Sequence, residues 1–198
     1  MIYINDKIQQ YSTEEIATWI AELPQWRREQ VLAYKHEAGR RQSLLAYRLL
    51  CQGLQKEYGI EESPTFQYNE HGKPFLGGEW TVERGETSTI HFSLSHCREA
   101  VACVISEQPC GIDIESTDRR VSDSIIRYSM NDEEQTEIAN AENSTQTFLH
   151  LWTRKEAVLK LIGTGIRDDM KEILVGCPYD IKTRETERYI VSIAVSRA

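Results

Sequence analysis

The most constraining feature of this sequence is the segment 110–115, Cys-Gly-Ile-Asp-Ile-Glu, in which apolar and acidic residues alternate. A β-strand has a side-chain period of two, so Ile112 and Ile114 occupy one face and Asp113 and Glu115 the other. Carboxylates two residues apart on a strand start about 6.6 Å apart at the backbone, so their side chains can lean toward one cation. We therefore predict a strand with one apolar face and one acidic face.

A second segment predicts an α-helix with polar side chains on one face. Trp152, Glu156 and Lys160 follow one another at intervals of four residues and therefore share a face of a helix. If this face lies against the predicted strand, Asp113, Glu115 and Glu156 form a site of hard oxygen ligands, with Lys160 one turn beyond it. Mg²⁺ suits such a site, because it binds a few carboxylates and completes its shell with water and phosphate oxygens.

Each segment also has a simpler interpretation. The acidic face of a strand is usually the solvated side of a half-buried sheet. A glutamate and a lysine four residues apart on a helix usually form a surface ion pair that contributes about 0.3–0.5 kcal/mol. The two segments together, with these residues at this separation, are a more specific signal of a functional site than either segment alone.

The composition is that of an ordinary soluble globular protein, with 40% hydrophobic and 27% charged residues among 198. This length is sufficient for one large domain or two small ones. No apolar run approaches the ~20 residues of a membrane span. The N-terminal residues lack the basic segment of a secretory signal. We therefore expect a cytoplasmic protein that has no membrane partner.

The net charge of −8 disfavours nonspecific binding to nucleic acid. The basic residues nevertheless occur in local pairs, of which Arg40 and Arg41 are one. Such pairs either lie solvated on helix faces or bind a small polyanion. An acidic protein can bind a polyanion in this way because distant charges are screened and the nearest charges dominate the interaction. The five cysteines include no Cys-x-x-Cys pair, which argues against a zinc site and a disulfide framework.

The first half of the chain predicts a strand, then helices, then a β-rich region. Ser12 and Glu15 have the spacing of a capping box. A long helical region extends from about Trp26 to Gly59, which is placed as a C-cap. We expect a flexible loop over the polar segment 79–88.

Two strands close this half. The turn residues Gly72 and Pro74 precede them. Alternation over residues 89–95 predicts a strand whose apolar residues point inward, and the apolar run 100–105 predicts a buried strand that contains Cys103.

The second half repeats this order of elements. The strand 111–115 comes first, followed by shorter helices and a long helix over roughly 144–163. Closing strands are predicted from about 172–176 and over 189–195. We therefore predict an α+β fold of two similar αβ halves, residues 1–108 and 109–198, related by a pseudo-twofold axis with the ligand cleft between them.

The amino-acid sequences of several segments resemble those of one enzyme family. Gly-Ile-Asp-Ile-Glu at 111–115, followed by Trp-x-x-Lys-Glu-Ala-x-x-Lys at 152–160, is similar to the signature of 4′-phosphopantetheinyl transferases of the surfactin-synthetase-activator type. Phe-Ser-Leu-Ser-His at 92–96 is a further strong match. The turn 71–75 and the basic run 34–45 match more weakly.

The resemblance implies a role for individual residues. It makes Asp113, Glu115 and Glu156 the ligands of Mg²⁺, and it places Glu133 near the metal as a second candidate base beside Glu156. It makes Lys160 and His96 catalytic residues that contact the coenzyme A phosphates. The residues implied in coenzyme A binding as a whole are Lys35, Arg40, Arg41, Lys73, Ser95, His96 and Lys160.

The resemblance also implies the reaction. The family moves phosphopantetheine from coenzyme A to a serine of an apo acyl or peptidyl carrier protein and releases 3′,5′-ADP. Mg²⁺ and Lys160 would stabilise charge on the leaving phosphate, and a carboxylate would take the serine proton. Coenzyme A and a carrier protein are thus the expected partners of a monomer.

Two other function classes remain open. A phosphohydrolase that uses the same carboxylates and Mg²⁺ would cleave coenzyme A or a nucleotide without a carrier. A non-catalytic module would only bind coenzyme A or the carrier. A serine hydrolase built on Ser95 and His96 is disfavoured, because adjacent strand residues point to opposite faces and no Gly-x-Ser-x-Gly motif is present.

Overall fold

The computed structural model describes residues 1–76, 80, 81, 87–165 and 169–197. The elements of the first half are β1 (Ile2–Asn5), α1 (Thr13–Glu22), α2 (Gln25–Leu32), α3 (Glu37–Tyr58), β2 (Phe66–Tyr68), β3 (Pro74–Leu76), β4 (Trp80–Thr81), β5 (Thr87–Ser88), β6 (His91–His96) and β7 (Val101–Ser106). Those of the second half are β8 (Cys110–Ser116), α4 (Asp123–Ser129), α5 (Asp132–Asn140), α6 (Ser144–Ile162), a 3₁₀ turn (Met170–Glu172), β9 (Asp180–Glu185) and β10 (Tyr189–Val195). This mixture of helices and sheets confirms the expected α+β class.

The two main sheets have three antiparallel strands each and share one strand order. The first sheet has the order β1-β7-β6 and the second the order β8-β10-β9. In both sheets, the last strand of the half lies between its first strand and the strand before the last. The predicted acidic strand, β8, is an edge strand of the second sheet.

Strands β6 and β8 meet at a seam between the two sheets. They form no backbone ladder with each other, although both strands lie entirely within the described residues. Instead, the backbone N–H of Ile112 donates to Ser93 Oγ (3.2 Å), and that of Ile114 donates to Ser95 Oγ (3.3 Å). Both serines are buried, so both faces of β6 are covered, not just its apolar face.

The core runs through both sheets. Helix α3 covers the first sheet, and Leu54 of this helix packs in one cluster with the fully buried Cys103 of β7, which confirms the prediction for that residue. The other face of β7 joins the second sheet, because Val104 clusters with Ile112 of β8 and Val191 of β10. Among the described helices, none combines the length and hydropathy needed to cross a membrane.

The helix ends follow the sequence signals, with one interruption. Ser12 and Glu15 form the predicted capping box, and Gly59 ends α3 with a φ of 68°. The expected continuous helix from Trp26 is wrong, because α2 stops at Leu32 and α3 starts at Glu37. At this break the ring of Tyr34 packs on Gly39, where a Cβ atom would lie 2.8 Å from Tyr34 Cδ1.

Two expectations for irregular regions also change. Residues 172–176 form successive turns, with hydrogen bonds from Val175 N to Glu172 O and from Cys177 N to Leu174 O, and the closing strands begin only at Asp180. The expected loop over 79–88 instead contains the short paired strands β4 and β5. Its remaining residues, 79 and 82–86, lie outside the described residues.

Candidate active site

Gly111 allows strand β8 and helix α6 to approach closely. A Cβ atom at this position would lie 2.0 Å from the carbonyl oxygen of Ala157 and 2.4 Å from the backbone nitrogen of Leu161. Any larger residue would push the helix off the strand. The glycine that opens the acidic strand therefore sets the distance at which Glu156 and Lys160 face β8.

Asp113 forms a closed triangle with a lysine and a serine. Its Oδ1 accepts hydrogen bonds from Lys160 Nζ (2.6 Å) and Ser95 Oγ (2.9 Å), and Lys160 Nζ also donates to Ser95 Oγ (2.9 Å). Asp113 is 5% exposed, so this ion pair forms with little screening by water. The strand, the helix and β6 of the other sheet thus meet at one carboxylate.

Glu115 is engaged by a different pair of side chains. Its Oε1 accepts hydrogen bonds from the Arg119 guanidinium and from Trp152 Nε1 (3.1 Å). The guanidinium carbon of Arg119 lies 5.0 Å from the centre of the Trp152 ring, a cation–π distance. Trp152 therefore lies on the same helix face as Glu156 and Lys160, as its spacing predicts.

Glu156 is the acid whose ionisation the site opposes most. Burial, and secondarily the negative charge of Asp113, raise its pKa to about 7, although Lys160 acts in the opposite direction. Burial and Asp113 also raise the pKa of Glu115. One lysine and one arginine therefore do not fully balance the three carboxylates, and a further cation would favour their charged forms.

The unpartnered oxygens of the site fit a magnesium ion. Asp113 Oδ2 and Glu156 Oε1 are buried without a hydrogen-bond partner in the described structure, which costs about 1–3 kcal/mol for each such group. Within the described residues, no group of three or more His, Cys, Asp or Glu side chains is arranged to hold a metal ion. Mg²⁺ does not need one, since it is commonly held by one or two carboxylates together with water and substrate phosphates.

A cavity of about 280 Å³ opens beside Glu156 and Lys160. Both halves of the chain line it: Phe92 and Leu94 come from β6, and Glu156, Leu159 and Lys160 come from α6. One wall is therefore apolar, and the other carries an acid and an ammonium group. This combination suits a ligand with a charged end and an uncharged chain.

His96 ends β6 at the edge of the same cluster. Its side chain is exposed on one side, whereas neighbouring protein atoms desolvate the imidazole and, together with the Lys160 ammonium, lower its pKa. A neutral imidazole can donate one hydrogen bond and accept one. Ser95, by contrast, is buried, so the two residues point to opposite faces of the strand as expected.

Lys73 reaches across from the β2–β3 hairpin to the end of α6. Its Nζ donates to the carbonyl oxygen of Leu161 (2.8 Å), and Asn69 Nδ2 donates to that of Gly163 (2.8 Å). These are carbonyl groups that a helix end leaves without partners of its own. Lys73 also lines the cavity, and burial lowers its pKa. An ammonium has three donors, so Lys73 can serve both the helix end and a ligand.

The three basic residues near the start of α3 do not line this cavity. Arg41 donates to the backbone carbonyl of Ile8 (3.1 Å), and Arg40 Nε donates to that of Tyr34 (2.8 Å). Lys35 is exposed. In this structure the two arginines thus hold backbone carbonyl groups of the N-terminal segments. The role of all three residues in coenzyme A binding stays a prediction.

Glu133 is exposed on α5, and its neighbour Glu134 is the buried acid of that helix. Glu134 Oε2 accepts a hydrogen bond from Lys155 Nζ (2.7 Å). Lys155 is fully buried and also donates to the carbonyl oxygens of Ser129 (2.9 Å) and Met170 (2.8 Å). The role of Glu133 near a metal stays a prediction.

This lysine cluster escaped the sequence analysis, although a signal for it exists. Lys155 lies four residues from both Leu151 and Leu159, on the apolar stripe of α6. A lysine in such a stripe requires a buried partner. Glu134, at the third helical position of the Asn131 capping box, could have been proposed as that partner.

Comparison with known proteins agrees with the geometry. The family described as the 4′-phosphopantetheinyl transferase superfamily matches residues 109–192, which include β8 and α6. The chain is 28% identical to the 4′-phosphopantetheinyl transferase Sfp of Bacillus subtilis over 168 residues, which cover 83% of this chain and 70% of that protein. It is 37% identical to the 4′-phosphopantetheinyl transferase gsp of Aneurinibacillus migulanus over 133 residues, which cover 61% of this chain and 50% of that protein.

A third relative is also named a 4′-phosphopantetheinyl transferase. The 4′-phosphopantetheinyl transferase AcpT of Salmonella typhi is 29% identical over 138 residues, which cover 67% of this chain and 65% of that protein. The chain thus spans between half and 70% of the length of these relatives. Together with the motifs on β6, β8 and α6, these matches show that residues 109–192 are similar to the 4′-phosphopantetheinyl transferase superfamily and that the chain resembles enzymes named as such transferases.

Proposed function

We propose that this chain transfers the 4′-phosphopantetheine group of coenzyme A to a serine of an apo carrier protein and releases 3′,5′-ADP. The observation that carries the proposal is the pair of unpartnered carboxylate oxygens of Asp113 and Glu156. Asp113 is hydrogen-bonded to Lys160, and Glu156 and Lys160 line a cavity to which both halves contribute. The names of the relatives support the same reaction.

Coenzyme A is proposed to bind across the seam. Its pyrophosphate would meet Lys160 and His96, because an ammonium and a neutral imidazole both donate to phosphate oxygens. The pantetheine chain would follow the apolar wall formed by Phe92, Leu94 and Leu159. Lys73 faces the same cavity from the opposite hairpin and would contact the nucleotide portion.

Asp113 and Glu156 would hold the metal. Glu115 would bind it either directly, after releasing its hydrogen bond with Arg119, or through a water molecule. Bound Mg²⁺ supplies charge neutralisation on the pyrophosphate. The positive charge of the Lys160 ammonium would stabilise the negative charge on the leaving phosphate. The pKa of Glu156 is raised to about 7 in the metal-free chain. Mg²⁺ would favour the charged carboxylate, which could take the proton of the carrier serine. The serine oxygen then bonds to the phosphorus that bears pantetheine, and the pyrophosphate P–O bond breaks.

The two halves, residues 1–108 and 109–198, are proposed to be products of a duplication. The shared strand order of the two sheets supports this relation, as does the long helix that covers each sheet, α3 in one and α6 in the other. Since one chain supplies both sides of the cavity, we further propose that it acts as a monomer.

The transfer is tested by mass spectrometry on a panel of apo carrier proteins incubated with the chain, coenzyme A and Mg²⁺. We expect at least one carrier to gain the mass of phosphopantetheine on its serine. A Ser→Ala carrier is the matched control and should gain nothing. If every carrier keeps its apo mass while coenzyme A binds, the transferase proposal fails and a binding module is favoured.

If Glu156 binds Mg²⁺, the stabilisation of the fold by the metal depends on pH. A buried carboxyl whose pKa is raised from 4.5 to about 7 stabilises the fold at low pH, and this contribution is lost as pH rises through 7. Mg²⁺ binds the charged form, so it should raise the melting temperature more at pH 8 than at pH 6. Thermal unfolding of the metal-free and Mg²⁺-loaded chain measures this difference. Glu156→Gln should abolish most of it, and an equal shift at both pH values would contradict a metal held by Glu156.

A further inference from the structure

Glu115 differs from the other proposed metal ligands because an arginine already holds it. Its Oε1 accepts hydrogen bonds from the Arg119 guanidinium and from Trp152 Nε1 (3.1 Å). Asp113 also pairs with a cation, Lys160, but that ammonium lines the cavity and is proposed to meet the phosphates. Arg119 is not among the described residues that line this cavity. Its charge therefore neutralises a metal ligand without serving the proposed phosphate site.

The fold fixes the position of the Arg119 guanidinium. Arg119 follows β8 in a turn that its own backbone N–H closes with the carbonyl oxygen of Ser116 (3.0 Å). The guanidinium carbon lies 5.0 Å from the centre of the Trp152 ring, a cation–π distance. The Trp152 ring in turn stacks on Phe148, with the ring centres 5.7 Å apart, and Phe148 is fully buried. The arginine therefore has a rigid support beside Glu115.

A glutamate and an arginine four residues apart usually form a weak surface ion pair. This pair is largely withdrawn from solvent, since the side chain of Arg119 is 29% exposed and that of Glu115 is 22% exposed. Burial and then the charge of Asp113 raise the pKa of Glu115, and Arg119 is the first of the groups that oppose this rise. In the metal-free chain the guanidinium thus supplies part of the positive charge that a metal would bring.

A metal ion that binds Glu115 has to compete with this guanidinium. Two positive charges repel each other at contact distance, and Oε1 already accepts two hydrogen bonds. Among the described residues, Arg119 forms an ion pair with Glu115 alone, so no second acid receives the guanidinium when it is released. Binding of Mg²⁺ to the free chain therefore costs an ion pair.

We propose that Arg119 is a positioning residue that acts through Glu115: it holds this carboxylate as a built-in counter-cation in the metal-free chain, and Mg²⁺ displaces it. Arg119 thereby lowers the affinity of the free chain for the metal. The inference rests on the proposed function, because it takes Glu115 as a ligand of Mg²⁺. It goes further in assigning control of metal loading to a residue outside the motifs and outside the cavity lining.

The test measures the dissociation constant of Mg²⁺ alone by calorimetry. It is done at pH 8, above the raised pKa of Glu156 of about 7, so that the carboxylates are charged. Arg119→Gln removes the competing charge, and we expect it to tighten Mg²⁺ binding by about tenfold, between the few-fold contribution of an exposed ion pair and the larger one of a hydrogen bond to a charged group. Arg119→Lys keeps a positive charge within reach and should return the constant most of the way to the wild-type value.

Arg120→Gln is the matched control, because it removes the same charge from the next residue. Arg120 is exposed, and Glu115 pairs with Arg119 instead. The Mg²⁺ dissociation constant of this variant should stay within about twofold of wild type, since solvent and salt screen an exposed charge. A second control repeats Arg119→Gln in a Glu115→Gln background, where the gain in affinity should disappear. An equal gain in Arg120→Gln, or a gain without Glu115, would overturn the inference.

Thermal unfolding separates this role from a merely structural one. Loss of the ion pair should lower the Tm of metal-free Arg119→Gln, whereas the rise in Tm on addition of Mg²⁺ should exceed that of wild type. A structural residue would lower stability and metal affinity together, so weaker Mg²⁺ binding by Arg119→Gln would refute the inference. Unchanged Mg²⁺ binding with a higher KM for the carrier would also refute it and would assign the arginine to carrier docking.

The failure of this inference and that of the proposed function give different results, because the metal titrations need neither coenzyme A nor a carrier. A wild-type chain that binds Mg²⁺ but transfers nothing would remove the proposed function, and the arginine variants would still decide the role of Arg119. If neither wild type nor Arg119→Gln binds Mg²⁺ alone, the inference fails. Transfer in the presence of coenzyme A would then leave the proposed function standing.

Discussion

Replacing Glu156 with glutamine is expected to lower kcat by about 10²–10⁴-fold at saturating Mg²⁺. Glutamine keeps the shape of the side chain and one oxygen, but it has no negative charge and cannot accept the serine proton. Burial raises the pKa of Glu156 to about 7 in the metal-free chain, and bound Mg²⁺ would favour the charged form that can accept a proton. Coenzyme A should still bind, since Lys73, His96 and Lys160 are intact.

Asp113→Ala is the matched comparison, because it removes a proposed metal ligand without removing the proposed base. Its activity should fall steeply and recover in part as Mg²⁺ is raised, while that of Glu156→Gln should not recover. Calorimetric titration of coenzyme A beside the kinetics separates binding from chemistry. Recovery of Glu156→Gln at high Mg²⁺ would make Glu156 a ligand only, and near-normal turnover at ordinary Mg²⁺ would refute both of its roles.

Replacing Lys155 with methionine is expected to destabilise the fold by about 3–5 kcal/mol, the range found when one partner of a buried ion pair is removed. The Lys155 side chain is 0% exposed and that of Glu134 is 11% exposed, so the remaining carboxylate would stay in a poorly solvated place. The carbonyl groups of Ser129 and Met170 would also lose their donor. Urea unfolding monitored by circular dichroism measures the loss.

The double variant Lys155→Met with Glu134→Gln provides the control for this prediction. It removes both charges and should recover part of the lost stability, because no isolated carboxylate remains. Exposed substitutions usually change stability by less than about 0.5 kcal/mol. A loss of that size in Lys155→Met would show that the ammonium does not hold α4, α5 and the 170–172 turn onto α6.

The sequence predicted the parts of the site that depend on local periodicity. The period of two on β8 places Asp113 and Glu115 together, and the four-residue spacing on α6 places Trp152, Glu156 and Lys160 together. Gly111 links the two elements because it admits the backbone of α6. Since local patterns decide the two spacings, a single sequence sufficed to predict them, whereas the close approach at Gly111 is seen only in the structure.

Contacts between distant segments could not be predicted in this way. The seam bonds of Ser93 and Ser95 depend on two edge strands meeting without a ladder, and no periodic pattern encodes such a meeting. The break between α2 and α3, where the Tyr34 ring packs on Gly39, is another example, since propensity favours helix through this region.

The most direct test of the central claim is the release of 3′,5′-ADP from coenzyme A with and without an apo carrier. A transferase releases one 3′,5′-ADP for each carrier serine modified, because the serine oxygen displaces it. We therefore predict release that requires the apo carrier, stops when the carrier is used up, and is absent with its Ser→Ala variant. Continuous release without any carrier would contradict the account and would identify a hydrolase that uses the same carboxylates.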